Sequence, residues 1–385
     1  MHIAFFAEQL YYLPQFSPVI RCLLARGHRV TTLLRLDAAL RKMPLPAFET
    51  LGPAHTLVRV DSARAAYTEL RRLAPDWAVF GSFLDPDETL APITRSALVY
   101  HGIGVKTVLF DPRLNAFDLR CVESQRVLDE LVARDPGARA RLALVGFAKL
   151  DPLFAVPPPA GTAPHGAAPH TATSHGAPST GTSPVLLYAP TFYPSSLELM
   201  PKSLSALAPG ARWIVKPHFF TWTVRQYAGQ RERLSAWARD PAVEVLGAET
   251  YDLVPLMARA DVLVSDASSA LFEFAALGRP VVWCRFLKLR WSYRGLLRWR
   301  FDRRMDPNTA RYETVAHCVD RAADLPRVLA EAIAERRGTA RADRPEREAL
   351  IEHLIGPRDG HTSERIADEL ERRAASGPPG ITARA

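Results

Sequence analysis

His101 has the residue type and the surroundings that general base catalysis needs. It directly follows the apolar run 97–100 and precedes two glycines, Gly102 and Gly104. The glycines let the backbone approach a ligand closely, and an imidazole can take up a proton near neutral pH. A lone histidine more often has a structural role, so its position in the fold must decide between the two interpretations.

His218 is the second candidate for acid–base or phosphate chemistry. It closes the segment 213–218, which begins as an apolar run and contains Lys216 as a second positive group. Both His101 and His218 follow an apolar run that predicts a strand, so we expect both at the same topological position, just beyond a strand. That shared position favours a functional interpretation.

The segment 251–274 carries hydroxyl and carboxylate groups where a predicted strand meets a predicted helix. The strand 262–265 ends at Asp266, and Ser268 and Ser269 open the following helix. The first N–H groups of a helix are unpaired and the helix dipole favours negative charge there, so two serines at this place suit a phosphate. The alternative is that Asp266 or Ser268 merely caps the helix, as these residue types often do.

Sequence motifs of several other enzyme classes are absent. The chain has no G-x-x-x-x-G-K-[ST] loop, no G-x-G-x-x-G after the first predicted strand and no G-x-S-x-G. P-loop hydrolysis, hydride transfer and serine-hydrolase chemistry therefore lose support. The four cysteines lie far apart without a C-x-x-C pair. We expect neither a zinc site nor disulfides, as in a reducing cytoplasm.

Short strands that alternate with helical patterns must position these residues. In the first half of the chain, the predicted strands are 2–6, 30–34, 56–60, 77–80, 107–110 and 142–145. The segment 23–30 fits a helix that ends at Gly27 and leads directly into a strand. Strand, helix and strand in this order predict parallel pairing through right-handed crossovers, which is a doubly wound α/β domain.

The same alternation returns in the second half of the chain. The predicted strands there are 185–189, 213–216, 243–246, 262–265 and 280–284. Helices such as 253–260 and 268–277 fit between them, and the charged region 325–373 predicts several more. We therefore expect two Rossmann-like doubly wound domains facing a cleft, with ligands beyond the carboxyl ends of the strands.

A segment rich in Pro, Ala and Gly separates the two halves. The 28 residues 157–184 contain no Asp, Glu, Lys or Arg, and they cannot bury enough apolar surface to offset the entropy of ordering. We predict a disordered linker, and its three evenly spaced histidines are only a weak signal for metal binding. The predicted boundaries are an N-terminal domain at 1–156, the linker at 157–184, a C-terminal domain at 185–340, and C-terminal helices and tail at 341–385.

A basic and aromatic segment lies near the end of the second predicted domain. Residues 285–304 contain eight Lys or Arg and one acid, which gives the segment a net charge of +7. Aromatic side chains are interleaved with the charges, a mixture that suits an anionic membrane surface or a polyanionic substrate. A solvated loop with aromatic anchors in the core is the alternative. The candidate membrane or acceptor residues are Arg290, Trp291, Arg294, Arg298, Trp299 and Arg300.

Length and composition limit the classes of protein. With 385 residues, 48% of them hydrophobic and 23% charged, the chain can form two sizeable cores and is not disordered as a whole. No apolar run approaches the roughly 20 residues of a membrane span. The N-terminus lacks the basic region of a signal peptide. We therefore expect a cytoplasmic protein.

Taken together, these motifs resemble the CDP-glycerol glycerophosphotransferase family, which includes teichoic acid primases and polymerases and capsule-making relatives. The resemblance covers roughly 97–149 and 185–284. Its carriers are His101 and Gly102 with Lys106, the segments 187–191 and 216–218, Tyr251 with Asp252, and the segments 265–269, 272–274 and 277–282. The resemblance implies a two-domain GT-B fold, a CDP-activated polyol donor and two essential histidines, which map onto His101 and His218.

The function implied by this resemblance is transfer of glycerol phosphate, or a related polyol phosphate, from a CDP donor to an acceptor hydroxyl. CMP is released, and the product belongs to a cell-surface polymer. His101 is our choice for the general base on the acceptor, and His218 with Lys216 would stabilise the developing phosphate charge. The candidate donor-binding residues are Lys216, Asp266, Ser268, Ser269 and Glu273. We therefore expect the domain 1–156 on the acceptor side and the domain 185–340 to bind the donor nucleotide.

The expected partners and location combine this resemblance with the basic segment 285–304 and the character of the N-terminus. We expect a CDP-polyol donor, a lipid-linked or polymeric acceptor and an anionic membrane surface as partners, and no nucleic acid. The protein would be cytoplasmic and peripheral on the inner face of the plasma membrane. No acidic cluster demands a cofactor, although a divalent cation such as Mg²⁺ could assist. The alternatives are a GT-B glycosyltransferase or UDP-GlcNAc 2-epimerase-like enzyme that uses a nucleotide sugar, and a non-catalytic adaptor that binds membranes or polyanions.

Overall fold

The computed structural model describes most of the chain, in several stretches. They are residues 1–36, 45, 48, 51–103, 107–155, 183–266, 268–289, 293, 295–297, 299, 312–338 and 345–375. The predicted linker 157–184 lies outside the described residues except for its last two positions. Lys106 and five of the six candidate membrane or acceptor residues, namely Arg290, Trp291, Arg294, Arg298 and Arg300, also lie outside them.

The described residues form two compact units, and each contains one parallel sheet. Unit 1 comprises Met1–Gly102, Leu109–Ala155 and Gly356–Ala385, and unit 2 comprises Ile103–Val108 and Val156–Ile355. The strands in both units alternate with helices along the chain. This architecture confirms the prediction of two Rossmann-like doubly wound α/β domains. Among the described residues, no helix is both long and apolar enough to cross a membrane.

Unit 1 is built on seven described strands. They are β1 (His2–Ala7), β2 (Arg29–Arg35), β3 (His55–Val60), β4 (Trp77–Phe80), β5 (Arg95–Val99), β6 (Leu119–Val122) and β7 (Leu142–Leu144). Their order is β3-β2-β1-β4-β5-β6-β7, and every neighbouring pair is parallel. All six residues of β1 are buried, as expected for a strand with helices on both faces. The strand order reverses between β1 and β4, which is where open α/β sheets bind ligands.

Unit 2 repeats this architecture with six described strands. They are β8 (Val185–Ala189), β9 (Arg212–Val215), β10 (Val243–Val245), β11 (Val262–Ser265), β12 (Val281–Cys284) and β13 (His317–Val319). Their order is β10-β9-β8-β11-β12-β13, again parallel throughout. Large buried side chains, among them Tyr188, Trp213 and Trp237, form the core against this sheet.

Eleven α-helices are described in the two units. They are α1 (Leu13–Ala25), α2 (Ala63–Leu73), α3 (Gln125–Arg134), α4 (Asp151–Phe154), α5 (Phe219–Thr223), α6 (Ala228–Trp237), α7 (Val254–Arg259), α8 (Ala270–Ala275), α9 (Leu325–Arg336), α10 (Pro345–Ile355) and α11 (Thr362–Ala375). At the start of α2, the Ser62 hydroxyl accepts the backbone N–H of Ala65, which satisfies one unpaired donor of the first turn.

Most predicted strands are present, and the exceptions have physical reasons. The prediction of a strand at Thr107–Phe110 is wrong: this segment is a 3-10 helix in which only Leu109 is fully buried, too little for an interior strand. β6 was missed because Arg120 interrupts its apolar pattern. That guanidinium is buried and donates to the Asn115 side chain and the Leu109 carbonyl. β13 was missed because it has three residues and begins with the polar His317.

The C-terminal region contributes to both units. α10 belongs to unit 2, whereas α11 belongs to unit 1 and packs against α1. The two carboxylate oxygens of Asp151 accept the backbone N–H groups of Thr362 and Ser363 at the start of α11, and the Ser363 hydroxyl donates to the same carboxylate. The Trp77 indole donates to a carbonyl further along this helix. The region 341–385, predicted as one set of helices and tail, is therefore divided between the two units.

Candidate functional site

Three neighbouring strands of unit 2 end in segments that carry predicted site residues. β8 is followed by residues 190–196, here called the β8 loop, β9 by Lys216 and His218, and β11 by Asp266 and the serine pair. Because β9, β8 and β11 are adjacent and parallel, their carboxyl ends meet at one edge of the sheet. The backbone N–H of His218 donates to the Pro190 carbonyl at 3.2 Å, so the first two of these segments are in direct contact.

Asp266 holds the β8 loop in place. Its side chain is fully buried, and Oδ1 accepts the Thr191 N–H at 2.8 Å. Oδ2 accepts the Ser196 N–H at 2.8 Å and the hydroxyls of Ser196 and Ser195 at 2.9 and 3.3 Å. Burial raises the pKa of Asp266, and the hydrogen bonds from Ser196 and Thr191 oppose that rise. All four contacts go to the loop, so the geometry favours a positioning role over the direct donor contact that the sequence predicted.

Gln230 of α6 joins the β8 loop to α5. Its side chain is 2% exposed. The amide nitrogen donates to the Phe192 carbonyl and to Oε1 of Glu198, both at 3.0 Å. The amide oxygen accepts the Thr221 hydroxyl of α5 at 3.0 Å. The local sequence gives no signal for this residue, because a lone glutamine in a charged helix has the pattern of a surface residue and only tertiary packing buries it.

The ring of His218 is fixed by a helix cap and by aromatic neighbours. Nδ1 accepts the backbone N–H of Phe220 at 3.1 Å, which makes His218 the N-cap of α5. A ring nitrogen that accepts a hydrogen bond carries no hydrogen, so the neutral ring has its hydrogen on Nε2. The ring centre lies 4.6 Å from that of Phe192 and 5.1 Å from that of Phe220. His218 therefore supplies an N–H donor of the kind that binds a phosphate oxygen.

The serine pair makes contacts at the start of α8. The Ser268 hydroxyl accepts the Ala270 N–H at 3.2 Å, so the capping alternative describes a real contact. Its hydroxyl hydrogen can still be donated to a ligand. The Ser269 hydroxyl donates to Oε1 of Glu273 at 2.8 Å, and the Glu273 side chain is fully buried. Glu273 thus holds Ser269, which is a different task from the donor contact predicted for it.

The basic and aromatic segment 285–304 begins beside the β8 loop. The backbone N–H of Lys288 donates to the Ser195 carbonyl at 2.9 Å, and the two residues form an isolated antiparallel bridge. The ring centres of Tyr193 and Tyr293 lie 6.0 Å apart. Trp299, the one described member of the six candidate membrane or acceptor residues, is 50% exposed. The segment is therefore anchored to the same loop that Asp266 holds.

His101 lies at the corresponding sheet edge of unit 1. It follows β5, and its Nδ1 lies 2.6 Å from the carbonyl oxygen of Gly81, which follows β4. A carbonyl oxygen only accepts, so Nδ1 carries a hydrogen and Nε2 is the atom that takes up or releases a proton. The ring stacks on Tyr12, with ring centres 4.2 Å apart and an angle of 18° between the planes. Nε2 of His101 thus has the protonation chemistry of a general base.

Three tyrosines surround the His101 ring. Besides the stacked Tyr12, the ring of Tyr11 lies edge-on at 5.3 Å and that of Tyr100 lies at 4.6 Å. Burial raises the pKa of Tyr11 to about 12, and it also raises the pKa values of Tyr12 and Tyr100. The three phenols therefore stay neutral at physiological pH.

The structure groups most of the predicted site residues by unit. Lys216, His218, Asp266, Ser268, Ser269 and Glu273 lie at one sheet edge of unit 2, and His101 lies at a sheet edge of unit 1. Lys216 follows β9 directly, with a half-buried side chain. Among the residues that the structure describes, no group of three or more His, Cys, Asp or Glu is arranged to hold a metal ion. The catalytic and binding roles of these residues stay predictions.

Residues 171–286 match the model of the CDP-Glycerol:Poly(glycerophosphate) glycerophosphotransferase family. The matched range contains every element that carried the resemblance except the one at His101, Gly102 and Lys106. It also contains the β8 loop. None of the curated proteins with which the sequence was compared is similar enough to count as a match. The resemblance to this family is confirmed, and it supports a transferase.

Solved structures with a similar fold fall into two groups. The wall teichoic acid polymerase TagF is 14% identical, with 97% of this chain and 89% of that chain covered and a TM-score of 0.64. A putative UDP-N-acetylglucosamine 2-epimerase from Listeria monocytogenes is 10% identical, with 99% of each chain covered and a TM-score of 0.57. The UDP-GlcNAc 2-epimerase from Neisseria meningitidis, solved with UDP-GlcNAc bound, is 12% identical, covers 97% of this chain and 100% of its own, and has a TM-score of 0.54. At these identities the likeness establishes the fold, which is GT-B-like.

Proposed function

We propose that this chain transfers glycerol phosphate, or a related polyol phosphate, from a CDP-activated donor to an acceptor hydroxyl and releases CMP. The family match over 171–286 supports the donor class, and the fold shared with TagF is compatible with it. The acceptor in this proposal is lipid-linked or polymeric, and the reaction serves the synthesis of a cell-surface polymer such as teichoic acid or capsule.

The observation that carries the proposal is the opposite tautomer of the two histidines. His101 keeps its hydrogen on Nδ1, so Nε2 can accept a proton. His218 keeps its hydrogen on Nε2, which can therefore donate. Phosphoryl transfer needs one group that removes the proton of the attacking hydroxyl and others that stabilise charge on the phosphate. Each histidine has the tautomer that its proposed role requires.

The proposed reaction forms one bond and breaks one. The acceptor oxygen bonds to the phosphorus that carries the polyol, and the bond from that phosphorus to the bridging oxygen breaks. CMP leaves with the electron pair of the broken bond, and Nε2 of His101 takes the acceptor proton. The Nε2–H of His218 and the ammonium of Lys216 donate to phosphate oxygens while charge develops on them.

Donor binding in this proposal involves two kinds of residue at the sheet edge of unit 2. Ser268, His218 and Lys216 contact the donor phosphates through hydrogens that they can donate. Asp266 and Glu273 are buried, and they hold the β8 loop and Ser269 in place. This division follows from charge as well as burial, because a carboxylate beside a phosphate would repel it.

Location on an anionic membrane is part of the proposal and rests on the segment 285–304. Its net charge of +7 is combined with exposed apolar side chains, since Leu296 is 97% exposed and Trp299 is 50% exposed. Positive charge beside exposed apolar groups is typical of segments that lie in a membrane interface. The protein would then be peripheral on the inner face of the plasma membrane, where a lipid-linked acceptor is within reach.

Mass-spectrometric product analysis tests the proposal. The full chain is incubated with a panel of CDP-polyols and UDP-sugars, each with and without acceptor, and with EDTA as the test of metal dependence. We expect CMP and an acceptor extended by one polyol phosphate. His101→Ala and His218→Ala should each slow CMP release by about 10²- to 10⁴-fold. His361→Ala is the matched control, because His361 is an exposed histidine that contacts Glu364 outside the predicted site.

The second candidate function is a nucleotide-sugar enzyme, which is favoured by the fold shared with two UDP-GlcNAc 2-epimerases. Turnover of a UDP-sugar without CMP release from any CDP-polyol would support it and would contradict the phosphotransferase. Membrane binding without turnover of any donor would instead support a non-catalytic adaptor.

A further inference from the structure

We propose that Tyr12 and Gly81 are positioning residues for His101, and that together they fix the tautomer and the plane of its ring so that Nε2 serves as the base. The inference rests on the proposed function in one respect, namely that His101 is the base. The geometry of the three residues is independent of which substrate is used.

The carbonyl of Gly81 selects the tautomer. Its oxygen accepts the hydrogen of Nδ1 of His101 at 2.6 Å and is also reached by the backbone N–H of His101 at 3.4 Å. β4 and β5 are neighbouring strands, and Gly81 and His101 lie just beyond their ends. One carbonyl therefore orients both the backbone and the ring of His101.

The ring of Tyr12 sets the plane of the imidazole. The two rings are close to parallel, at 18°, with centres 4.2 Å apart. Tyr12 is only 4% exposed and is itself packed against Tyr11 and Phe16. Rotation of the imidazole about its Cβ–Cγ bond would push it against the tyrosine and would also break the bond to Gly81. The stack and the hydrogen bond therefore restrict the same torsion.

Position 81 must be glycine for this arrangement. A Cβ atom there would lie 2.7 Å from Cδ2 of Tyr12 and 3.2 Å from Cζ of Phe16. A separation of 2.7 Å between two carbon atoms is too short, so the Tyr12 ring must move to accept a side chain at this position, and we expect its stack on His101 to be disturbed. The φ angle of Gly81 is outside the left-handed region, so the requirement is one of space.

The charged groups of the described residues that act on the tyrosines around His101 include four side chains, and none of these is altered in the variants below. They are Glu8, Arg35, Arg120 and Glu123. A change in the pH profile of a Tyr12 variant therefore reports the setting of the His101 ring, with the neighbouring charges unchanged.

Nitrogen-15 NMR of the histidine rings in the full chain tests the tautomer directly. His101 is assigned by its absence in His101→Gln. We expect the pattern of a neutral ring with hydrogen on Nδ1 in the wild type and in Tyr12→Phe, which keeps the aromatic ring. In Tyr12→Leu and Gly81→Ala we expect averaged shifts of the two tautomers. A wild-type ring with its hydrogen on Nε2 overturns the proposal, whatever the activity.

Kinetics of CMP release supply the second readout. Tyr12→Leu and Gly81→Ala should each lower kcat by about tenfold or more with little change in KM, because a misplaced catalytic group costs up to about 10²-fold, whereas Tyr12→Phe should stay within about threefold. The acid limb of the pH profile of kcat should shift in Tyr12→Leu and Gly81→Ala but not in Tyr12→Phe.

Tyr67→Leu is the matched control for loss of a buried tyrosine. Tyr67 is 1% exposed and belongs to the same unit, but its ring contacts Phe6 and Phe80 instead of His101. It should lower the melting temperature without changing kcat or the pH profile. Equal losses of kcat in Tyr67→Leu and Tyr12→Leu would show that Tyr12 is merely structural and would overturn the proposal.

A double-mutant cycle separates the two positioning residues. Gly81→Ala should cost less in the Tyr12→Leu background than in the wild type, because the ring that its Cβ displaces is gone. If the losses of kcat in Gly81→Ala and Tyr12→Leu are fully additive in the double variant, the proposal that both residues act through the stack of Tyr12 on His101 is overturned. If Tyr12→Leu does not fold, the NMR spectra of the wild type, Tyr12→Phe and Gly81→Ala still show whether the tautomer of His101 is fixed as proposed. If the wild type turns over no donor, the proposed function fails, while the NMR result still decides this inference.

Discussion

Gln230→Leu should destabilise unit 2 far more than an ordinary substitution in a helix. Leucine is similar in size but has no polar atoms, so the Phe192 carbonyl, the Glu198 carboxylate and the Thr221 hydroxyl each lose a partner at 3.0 Å. Thr221 is fully buried, so water cannot replace its partner. An unsatisfied buried polar group costs about 1–3 kcal/mol, so the loss of all three partners should lower the free energy of unfolding by about 3 kcal/mol or more.

Urea-induced unfolding, followed by tryptophan fluorescence, measures this loss. The buried Trp213 and Trp237 report on the core of unit 2. Glu232→Gln is the matched control, because Glu232 is exposed on the same helix, and it should change the free energy of unfolding by less than about 0.5 kcal/mol. Thr221→Val removes one of the three contacts and should cost about 1–2 kcal/mol.

A loss below about 1 kcal/mol in Gln230→Leu, with an unchanged m-value, would refute the argument that this glutamine holds the β8 loop to α5. Activity gives an independent check. His218 caps α5 and packs on Phe192, so a released loop should lower kcat for CMP release even in the folded variant. CMP release at the wild-type rate by folded Gln230→Leu would show that His218 does not depend on this contact.

Three further predictions concern the donor site, the linker and the membrane. Joint replacement of Ser268 and Ser269 by Ala should weaken donor binding by about tenfold or more, since a charge-assisted hydrogen bond contributes about 1.5–3 kcal/mol; unchanged affinity by calorimetry would show that the serines only cap α8. Removal of 160–180 should leave the melting temperature unchanged, because such a segment contributes no core, and a large loss would show that it packs against a unit. Charge reversal at Arg294, Arg298 and Arg300 should abolish sedimentation with anionic liposomes, to which each basic residue contributes about 1 kcal/mol, and should spare turnover of a short soluble acceptor. The opposite pattern would assign the segment to the donor site.

The strands that could be predicted are those whose residues are mostly apolar, because such a run indicates a buried strand without any knowledge of its neighbours. β1, β8 and β11 are short continuous apolar runs, because strands covered on both faces need apolar side chains throughout. β6 could not be predicted in this way, because Arg120 interrupts its apolar run. The buried guanidinium is stabilised by hydrogen bonds to Asn115 and Leu109, which the residues of the strand alone do not reveal. Thr107–Phe110 shows the opposite error. Its residue types favour a strand, but the segment is a 3-10 helix, and β5 and β6 on either side of it in the chain pair directly with each other in the sheet.

The residues of the candidate site also fall into a group that the local sequence predicts and a group that it does not. His101, His218 and Ser268 were predictable because a position just beyond a strand is a property of the local sequence. The residues that hold them were not, because their partners are distant in the chain. Asp266 binds Thr191 across 75 positions, and Tyr12 stacks on His101 across a similarly long stretch of sequence. Such pairs follow from the order of the strands in the sheet, which no single segment encodes.

The two histidines show why residue type alone does not assign a catalytic role. An imidazole can accept or donate at either nitrogen, and its chemistry is decided by the group that binds the other nitrogen. At His101 that group is the Gly81 carbonyl, which leaves Nε2 to accept a proton. At His218 it is the Phe220 N–H, which leaves Nε2 to donate one. Because both partners are backbone groups, substitution of a neighbouring side chain can change the tautomer only by moving the ring away from its partner. The division into base and donor is therefore a property of where β4 ends and where α5 begins.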